Sequence, residues 1–337
     1  MRSSNIGGQA VMEGIMMRHK DKYSIAVRKP NQEIDVKIED YKSILGKYKI
    51  MKKPILRGVA SFVDSLVVGT KCLMYSAAFF EEEEEDQAPL TEEEKAEKAK
   101  KEEKENKIIM YVTVAFSIVL SVGLFMILPY LLASLFQKIG ASETMITVIE
   151  AIVKIALFLG YMLLISRMKD IQRVFMYHGA EHKCINCVEH GMDLTVENVM
   201  KSSRQHKRCG TSFLLLVMCV SIAAHFLFVA VPVMWVRVVA RLLMVPVVAG
   251  VSYEFIQWAG RSDNPIACAL SKPGMALQKL STREPDESMA EVAIAAVEAV
   301  FDWKSYVEEV RQEEGFGAEI SDEEMEAADN GAKEVVS

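Results

Sequence analysis

Long uncharged apolar segments dominate the middle of the chain. Residues 108–136 are almost free of charge, and further apolar segments cover residues 145–165, 212–231 and 238–258. A helix needs about 20 apolar residues to cross the hydrocarbon core of a bilayer. The pattern therefore predicts a mainly α-helical, polytopic membrane bundle with about four spans within residues 108–260, surrounded by the lipid bilayer.

The N-terminal segment has a different period. Residues 23–28 and 33–38 alternate apolar and polar side chains, and Pro30-Asn31-Gln32 lies between them as a turn. Alternation of this kind is typical of half-buried strands. We therefore expect a small β-rich cytosolic module over residues 1–54.

The segment 55–80 is apolar but is interrupted by Arg57, Asp64 and Lys71, which are seven residues apart. That spacing places the three charges on one stripe of a helix. It favours an amphipathic helix in the membrane interface or packed on the bundle, with a membrane crossing as the alternative. Residues 81–107 form a run of Glu and Lys that cannot build a core, which indicates a charged linker.

The chain becomes polar again after the bundle. Residues 261–310 are predicted to form a cytosolic helical region with an amphipathic helix from about Glu287 to Trp303, and residues 311–337 form an acidic tail. The net charge of −7 comes mostly from the tails. Because no basic patch is present to hold a phosphate backbone, we expect no nucleic-acid partner.

Positive charges are distributed unevenly between the predicted loops. The loop 137–144 contains one base, Lys138, whereas residues 167–209 contain eight Lys or Arg. Loops rich in Lys and Arg stay on the cytoplasmic side. The count predicts that the loop 167–211 and both termini are cytosolic, in a multi-pass protein of the inner (cytoplasmic) membrane.

Histidines and cysteines are concentrated in that loop. Four of the six histidines and three of the six cysteines lie between His178 and Cys209. On a helix, His178 and His182 share one face, with Glu181 beside them. The letters also spell H-x-x-E-H, the inverted zinc-protease signature, in which two histidines bind zinc and the acid polarises a water molecule. This pattern indicates a metal site or a thiol site.

Thiols supply further donors. Cys184 and Cys187 form a C-x-x-C, and His206 with Cys209 adds a second pair of nitrogen and sulfur donors. A mixed set of imidazole and thiolate donors suits zinc better than magnesium or calcium, whose ligands are oxygens. We therefore predict Zn²⁺ as the cofactor.

Three interpretations of these residues stay open. A structural zinc knuckle explains the His and Cys spacing but has no use for an acid, whereas a catalytic zinc would use Glu181 as general base. A redox role of Cys184 and Cys187 would need a βαβ context, which this neighbourhood lacks. A catalytic zinc keeps one position for water, so the donors cannot all bind at once.

Charged residues also occur inside the predicted spans. Glu150 and Lys154 are four residues apart and can neutralise each other on one helix face. Together with His225, Arg241 and Glu254 they can form a polar path, as in a transporter. In the alternative interpretation, Glu150, Arg241 and Glu254 lie near span ends and snorkel to the interface.

Several separated motifs together resemble one known family. They are Gly7-Gly8-Gln9-Ala10-Val11-Met12-Glu13-Gly14, Arg57-Gly58-Val59, Tyr177-His178-Gly179-Ala180-Glu181-His182-Lys183, His206 with Cys209-Gly210-Thr211-Ser212-Phe213, and Thr282-Arg283-Glu284-Pro285. The chain thereby resembles DUF1385, a bacterial membrane family of unknown function whose members are often labelled predicted metal-dependent enzymes. The resemblance implies a polytopic membrane protein with a metal site. In that family the position of Cys184 is commonly threonine, so Cys184 is a weaker candidate ligand. The resemblance therefore favours a ligand set drawn from His178, His182, Cys187, His206 and Cys209.

We predict a membrane-embedded, zinc-dependent enzyme, a hydrolase, with its site on the cytoplasmic face. Glu181 is the expected general base, and His206 is a reserve ligand or a proton shuttle. The first alternative is a non-enzymatic membrane scaffold or assembly factor with a structural zinc, and the second is a transporter. The sequence indicates neither a substrate nor an oligomeric state.

Overall fold

The computed structural model describes residues 3–43, 46–80, 108–228, 233–261 and 264–313. The chain divides into two compact units. The first comprises Met1–Phe80, Met162–Ser221 and Leu243–Ser337, and the second comprises Glu81–Tyr161 and Ile222–Leu242. The predicted linker 81–107 and the acidic tail beyond Glu313 lie outside the described residues.

Four strands and a series of helices build these units. The strands are β1 Gly7–Val11, β2 Gly14–His19, β3 Lys22–Arg28 and β4 Ile34–Asp40. The helices are α1 Leu56–Ala77, α2 Ile108–Ile139, α3 Glu143–Ile165, α4 Lys169–Glu189, α5 Val196–Lys201, α6 Gly210–His225, α7 Met234–Arg261, α8 Pro265–Ser281, α9 Glu287–Glu298 and α10 Trp303–Glu313.

The strands form one antiparallel sheet in chain order. The predicted hairpin is confirmed as β3 and β4, which pair from Lys22 opposite Asp40 to Arg28 opposite Ile34. Strands β1 and β2 were not predicted, because β1 begins with two glycines, which are depleted in strands, and residues 14–17 of β2 are apolar without alternation. Such a run is typical of a strand that is buried on both faces, and a helix segment can look the same in the sequence.

Both faces of the sheet are covered within the first unit. Ile15, Met17 and Ala26 pack on α4 and α9, whereas their neighbours Met16 and Ile25 point the opposite way, towards α1. Successive side chains of a strand point to opposite faces, so one strand supplies both layers. The result is a three-layer arrangement in which the sheet lies between α1 on one face and α4 and α9 on the other.

Helix α9 begins where the sequence supplies a cap. The carboxylate of Asp286 accepts a hydrogen bond from the backbone N–H of Met289 at 2.9 Å, which satisfies one of the free donors of the first turn. The predicted helix from Glu287 to Trp303 ends earlier, at Glu298, and a separate helix starts at Trp303. Asp302 accepts from Ser305 just ahead of that second helix, which explains the interruption.

Helix α1 packs on protein along much of its length. Val68, Cys72 and Tyr75 cover the second face of the sheet. Asp64, which the spacing placed on one stripe with Arg57 and Lys71, is buried and accepts hydrogen bonds from the hydroxyls of Tyr41 and Ser43, at 2.9 and 2.5 Å. The spacing of the three charges therefore gave no indication that Asp64 is buried against Tyr41 and Ser43.

Four helices of the described chain are long and apolar enough to cross a membrane. They lie at Leu56–Ala77, Ile108–Ile139, Glu143–Ile165 and Val236–Ala259. The prediction of a mainly helical, polytopic membrane protein with a small antiparallel sheet is confirmed. The segment 212–231, predicted as a span, differs from expectation, since helix α6 there has only 16 residues.

Candidate metal centre

Helix α4 directs a row of polar side chains towards the irregular segment 202–209. His182 donates from Nδ1 to the carbonyl of Arg204 at 2.6 Å, and Asn186 donates to the carbonyl of Ser203 at 2.6 Å. Buried irregular backbone needs such partners because its polar groups are withdrawn from water. The sequence of α4 therefore fixes the path of this segment.

The segment ends at Cys209, which reaches two histidines of α4. The potential ligand atoms of His178, His182 and Cys209 all lie within 4.8 Å of one another, and Cys209 Sγ is 3.3 Å from His178 Nε2. Tetrahedral zinc with bonds of about 2.0–2.3 Å holds its donor atoms about 3.3–3.8 Å apart. The three donors fit zinc after small side-chain movements, and they leave the fourth position of a tetrahedron for another group.

Backbone carbonyls set the tautomer of both histidines. Nδ1 of His178 is 2.8 Å from the carbonyl oxygen of Ser281, and Nδ1 of His182 faces that of Arg204. A carbonyl oxygen can only accept, so both Nδ1 atoms carry the proton. Nε2 of each ring is then the nitrogen that can bind a metal, and a partner on the other nitrogen is typical of metal-binding histidines.

Cys209 lies where a thiolate is stabilised. Its Sγ accepts from the backbone N–H of Thr211 at 3.3 Å, at the N-terminus of α6. Burial raises the pKa of Cys209, but the imidazoles of His178 and His182 outweigh burial and bring that pKa well below its usual range. Burial lowers the pKa of His178, but the charge of Cys209 outweighs burial and raises it to about 9. The thiolate is the form that binds zinc.

Glu181 is the acid beside these donors. It is buried, and no described residue donates a hydrogen bond to its carboxylate. Burial raises the pKa of Glu181, while the neighbouring histidines act in the opposite direction. An acid without a structural partner is available for proton transfer or for a fourth ligand bond.

Strand β1 leaves room for Glu181 at Gly8. A Cβ atom at Gly8 would lie 2.6 Å from both Cγ and Oε1 of Glu181, closer than real Cβ contacts allow. We expect Gly8→Ala to displace the Glu181 carboxylate and to reduce Glu181-dependent function about tenfold, while zinc content stays unchanged. A displacement of about 1 Å is enough for such losses. The visible absorption of the Co²⁺-substituted protein would report the altered site.

Gly7→Ala is the matched control for this change, because nothing lies within 4 Å of a Cβ atom at Gly7. The control variant should behave as the unchanged protein in both function and absorption. Equal effects of the two substitutions would show that the strand, and not the contact with Glu181, is responsible.

A second acid of α4, Glu189, is hydrogen-bonded to His206, the histidine of the segment 202–209. Glu189 is 2% exposed and accepts from Ser4 N at 2.7 Å and from Arg208, while His206 Nε2 lies 3.2 Å from its Oε2. Burial raises the pKa of Glu189, but the hydrogen bond with His206 and the charge of Arg208 outweigh burial and lower it to about 2. His206, predicted as a ligand or proton shuttle, is therefore hydrogen-bonded to Glu189 and does not join the three donors.

The remaining predicted ligand, Cys187, also lies apart from the three donors. Its thiol faces the carbonyl of Asp193 at 3.5 Å, inside the core shared with the sheet and α9. Burial raises the pKa of Cys187 to about 12 and that of Cys184 well above its usual value. On a helix, residues 182 and 187 point in different directions, and the structure does not bring the Cys187 thiol to the three donors.

Several residues that shape the site were missed by the sequence reasoning. Ser281 and Arg204 act through backbone carbonyls, which leave no trace in residue type. Gly8 and the segment after Ser281 belong to motifs of the family resemblance, and that signal pointed to the site without giving their roles. Gln278, which exchanges hydrogen bonds of 2.9 and 2.8 Å with the backbone of His206, gave no signal.

Comparisons with known proteins agree with the expected family. The family described as "Protein of unknown function (DUF1385)" matches residues 53–303. The chain is 37% identical over 294 residues to "Uncharacterized protein YqhQ" of Bacillus subtilis (strain 168), which covers 86% of this chain and 89% of that one. No solved structure matches the chain. The descriptions name no reaction, substrate or cofactor.

Proposed function

Because the chain belongs to the DUF1385 family, which has no assigned function, we propose a function from its site: a membrane-embedded, zinc-dependent hydrolase that works on the cytoplasmic face. One observation carries the proposal. Two imidazoles and one thiolate converge on a point with a fourth position left over, beside a buried acid to which no residue of the described ranges donates a hydrogen bond. A structural zinc is normally closed by four protein ligands, whereas a catalytic zinc has three.

The chain's own residues would divide the work as follows. His178, His182 and Cys209 would hold the ion, with Ser281 orienting the first of them. Zinc lowers the pKa of a bound water molecule towards neutrality and polarises a carbonyl oxygen. Glu181 would accept the proton of the attacking water at its carboxylate and return it to the leaving group.

The packing of the first unit supports placing the candidate site and the sheet on the same side of the membrane. The sheet, α4 and α9 share one hydrophobic core, so the chain would cross the membrane an even number of times between β4 and α4 and again between α4 and α9. Because α1 covers the sheet, α2 and α3 would form the first crossing pair. Helices α6 and α7 would form the second, with α6 extended by the 3-10 turn Phe226–Phe228. The concentration of Lys and Arg in residues 167–209 favours the cytoplasm for this side.

A paired measurement on full-length protein tests the proposal. We expect about one zinc per chain by elemental analysis, and we expect Glu181→Gln to keep the zinc but to lose about 10²–10⁴-fold in activity, the usual contribution of a general base. Until a substrate is known, function is read as rescue of a deletion strain.

The scaffold alternative predicts another outcome for the same variants. A structural zinc would pin the segment 202–209 to α4, and Glu181 would be dispensable. If Glu181→Gln rescues fully while Cys209→Ser neither binds zinc nor rescues, the enzyme proposal fails and the scaffold is retained. Absence of zinc from the unchanged protein would reject both.

A further inference from the structure

A second group of charged side chains lies inside the second unit. Such charges are rare in helices that cross a membrane. Glu150 and Lys154 of α3, His225 at the end of α6 and Arg241 of α7 are all buried. Glu150 Oε1 accepts from Arg241 Nη1 at 2.8 Å and lies 3.2 Å from His225 Nδ1, which is 3.3 Å from Lys154 Nζ. The alternative interpretation, in which Glu150 and Arg241 snorkel to the interface, does not fit these buried contacts.

An outer charged pair, here called the rim, can be distinguished along these helices from the buried inner group. Glu143, the first residue of α3, pairs with Arg237 at 3.0 Å and is 43% exposed in its side chain. Glu150 lies seven residues further, about 10 Å along the helix axis. The ring of Tyr130 lies 5.9 and 5.6 Å from the guanidinium carbons of Arg237 and Arg241 and spans the two levels.

The charges balance at the rim but not in the interior. In the described part of the chain, the inner group contains two basic side chains, Lys154 and Arg241, and one carboxylate, Glu150. In addition, Arg241 Nε is buried and has no hydrogen-bond partner among the residues that the structure describes. Unbalanced charge and unmade hydrogen bonds are costly at membrane depth, and charged residues there mark functional sites.

We propose that Lys154 and Arg241 bind a singly charged phosphate group inside the second unit, supplied either by a phospholipid headgroup or by free phosphate. A phosphodiester carries one negative charge, which matches the excess positive charge of the group. The guanidinium offers two N–H groups to a pair of phosphate oxygens, and the ammonium adds a point charge. His225 and the rim pair would line the approach. This site is independent of the zinc centre.

Binding to the full-length protein tests the proposal. We expect inorganic phosphate, or phosphatidylglycerol in nanodiscs compared with phosphatidylcholine alone, to raise the melting temperature more than sodium chloride of equal ionic strength. Arg241→Gln and Lys154→Gln should each weaken binding about tenfold or more, the usual effect of losing a charge-assisted hydrogen bond. Lys138→Gln, which removes an exposed cation of the same unit, should bind as the unchanged protein does.

The Glu150→Gln variant distinguishes between two roles of this group, a phosphate-binding site and a purely structural ion cluster. Glu150 competes with the ligand for Arg241, so its neutralisation should tighten phosphate binding about tenfold, and phosphate should restore stability that the substitution removes. A purely structural cluster would lose stability without rescue by phosphate. Zinc content should stay unchanged in every variant.

Each possible result of these binding measurements either supports or overturns the proposed phosphate site. A response to phosphatidylglycerol alone identifies a headgroup, and a response to inorganic phosphate alone identifies the free anion; both support the site. The proposal is overturned if neither probe exceeds chloride, or if Arg241→Gln and Lys154→Gln bind like the unchanged protein. Should Arg241→Gln fail to fold, Arg241→Lys, which keeps the charge but loses the planar fork, and Lys154→Gln give the decision.

Discussion

Glu189→Gln should destabilise the protein by about 3–5 kcal/mol, the usual effect of removing one partner from a buried ion pair. The carboxylate accepts from Ser4, lies beside His206 and pairs with Arg208, so its replacement leaves the Arg208 guanidinium without a counter-charge. The N-terminal segment and the segment before Cys209 would loosen together. The melting temperature should fall on the order of 10 °C.

Glu197→Gln is the control, since its carboxylate is 77% exposed in a surface pair with Lys201. An exposed i,i+4 pair contributes little, so the melting temperature should hardly change. The unchanged protein should also lose the contribution of Glu189 as the pH falls from about 4.5 towards about 2, because the folded pKa lies below the unfolded one. A Glu189→Gln protein as stable as the control would contradict the role assigned to this acid.

Cys209→Ser should reduce bound zinc from about one ion per chain to less than about a tenth of that. Serine keeps the size of the side chain but replaces a thiolate donor with a hydroxyl that stays protonated at neutral pH. Only His178 and His182 would remain of the three donors. Elemental analysis measures the loss, and the Co²⁺-substituted protein should lose its thiolate-to-metal absorption.

Cys187→Ser is the matched control, with the same atomic change on a thiol that faces the carbonyl of Asp193. It should retain full zinc content and the thiolate absorption. If instead Cys187→Ser loses the metal and Cys209→Ser keeps it, the ligand set proposed here is wrong. Loss in both variants would point to a rearranged site that uses both sulfurs.

The helical pattern predicted the part of the site that depends on one helix. Residues four apart share a face whatever the surroundings, which brought His178 and His182 together with Glu181 beside them. The sequence could not choose among the remaining donors. That choice depends on the path of the segment 202–209, which polar side chains of α4 and Gln278 of α8 determine.

The buried charges show the same difference between what one helix predicts and what several helices decide together. Spacing suggested that Glu150 and Lys154 neutralise each other, but in the structure Glu150 contacts His225 and Arg241, which belong to other helices. Likewise, Asp64, which the spacing grouped with Arg57 and Lys71, accepts hydrogen bonds from Tyr41 and Ser43. Periodicity describes one helix at a time, and an ionised group is buried only when other elements bring partners to it.

The sequence by itself determined the helical membrane architecture, the β3–β4 hairpin and the family, because apolar length, strand alternation and ordered motifs are properties of contiguous residues. The tertiary structure alone decided which thiol meets the histidines, which acid receives no hydrogen bond from the described residues and where Gly8 makes room for that acid. Those features arise from side chains and carbonyls far apart in the chain, whose distances are set by packing and not by spacing.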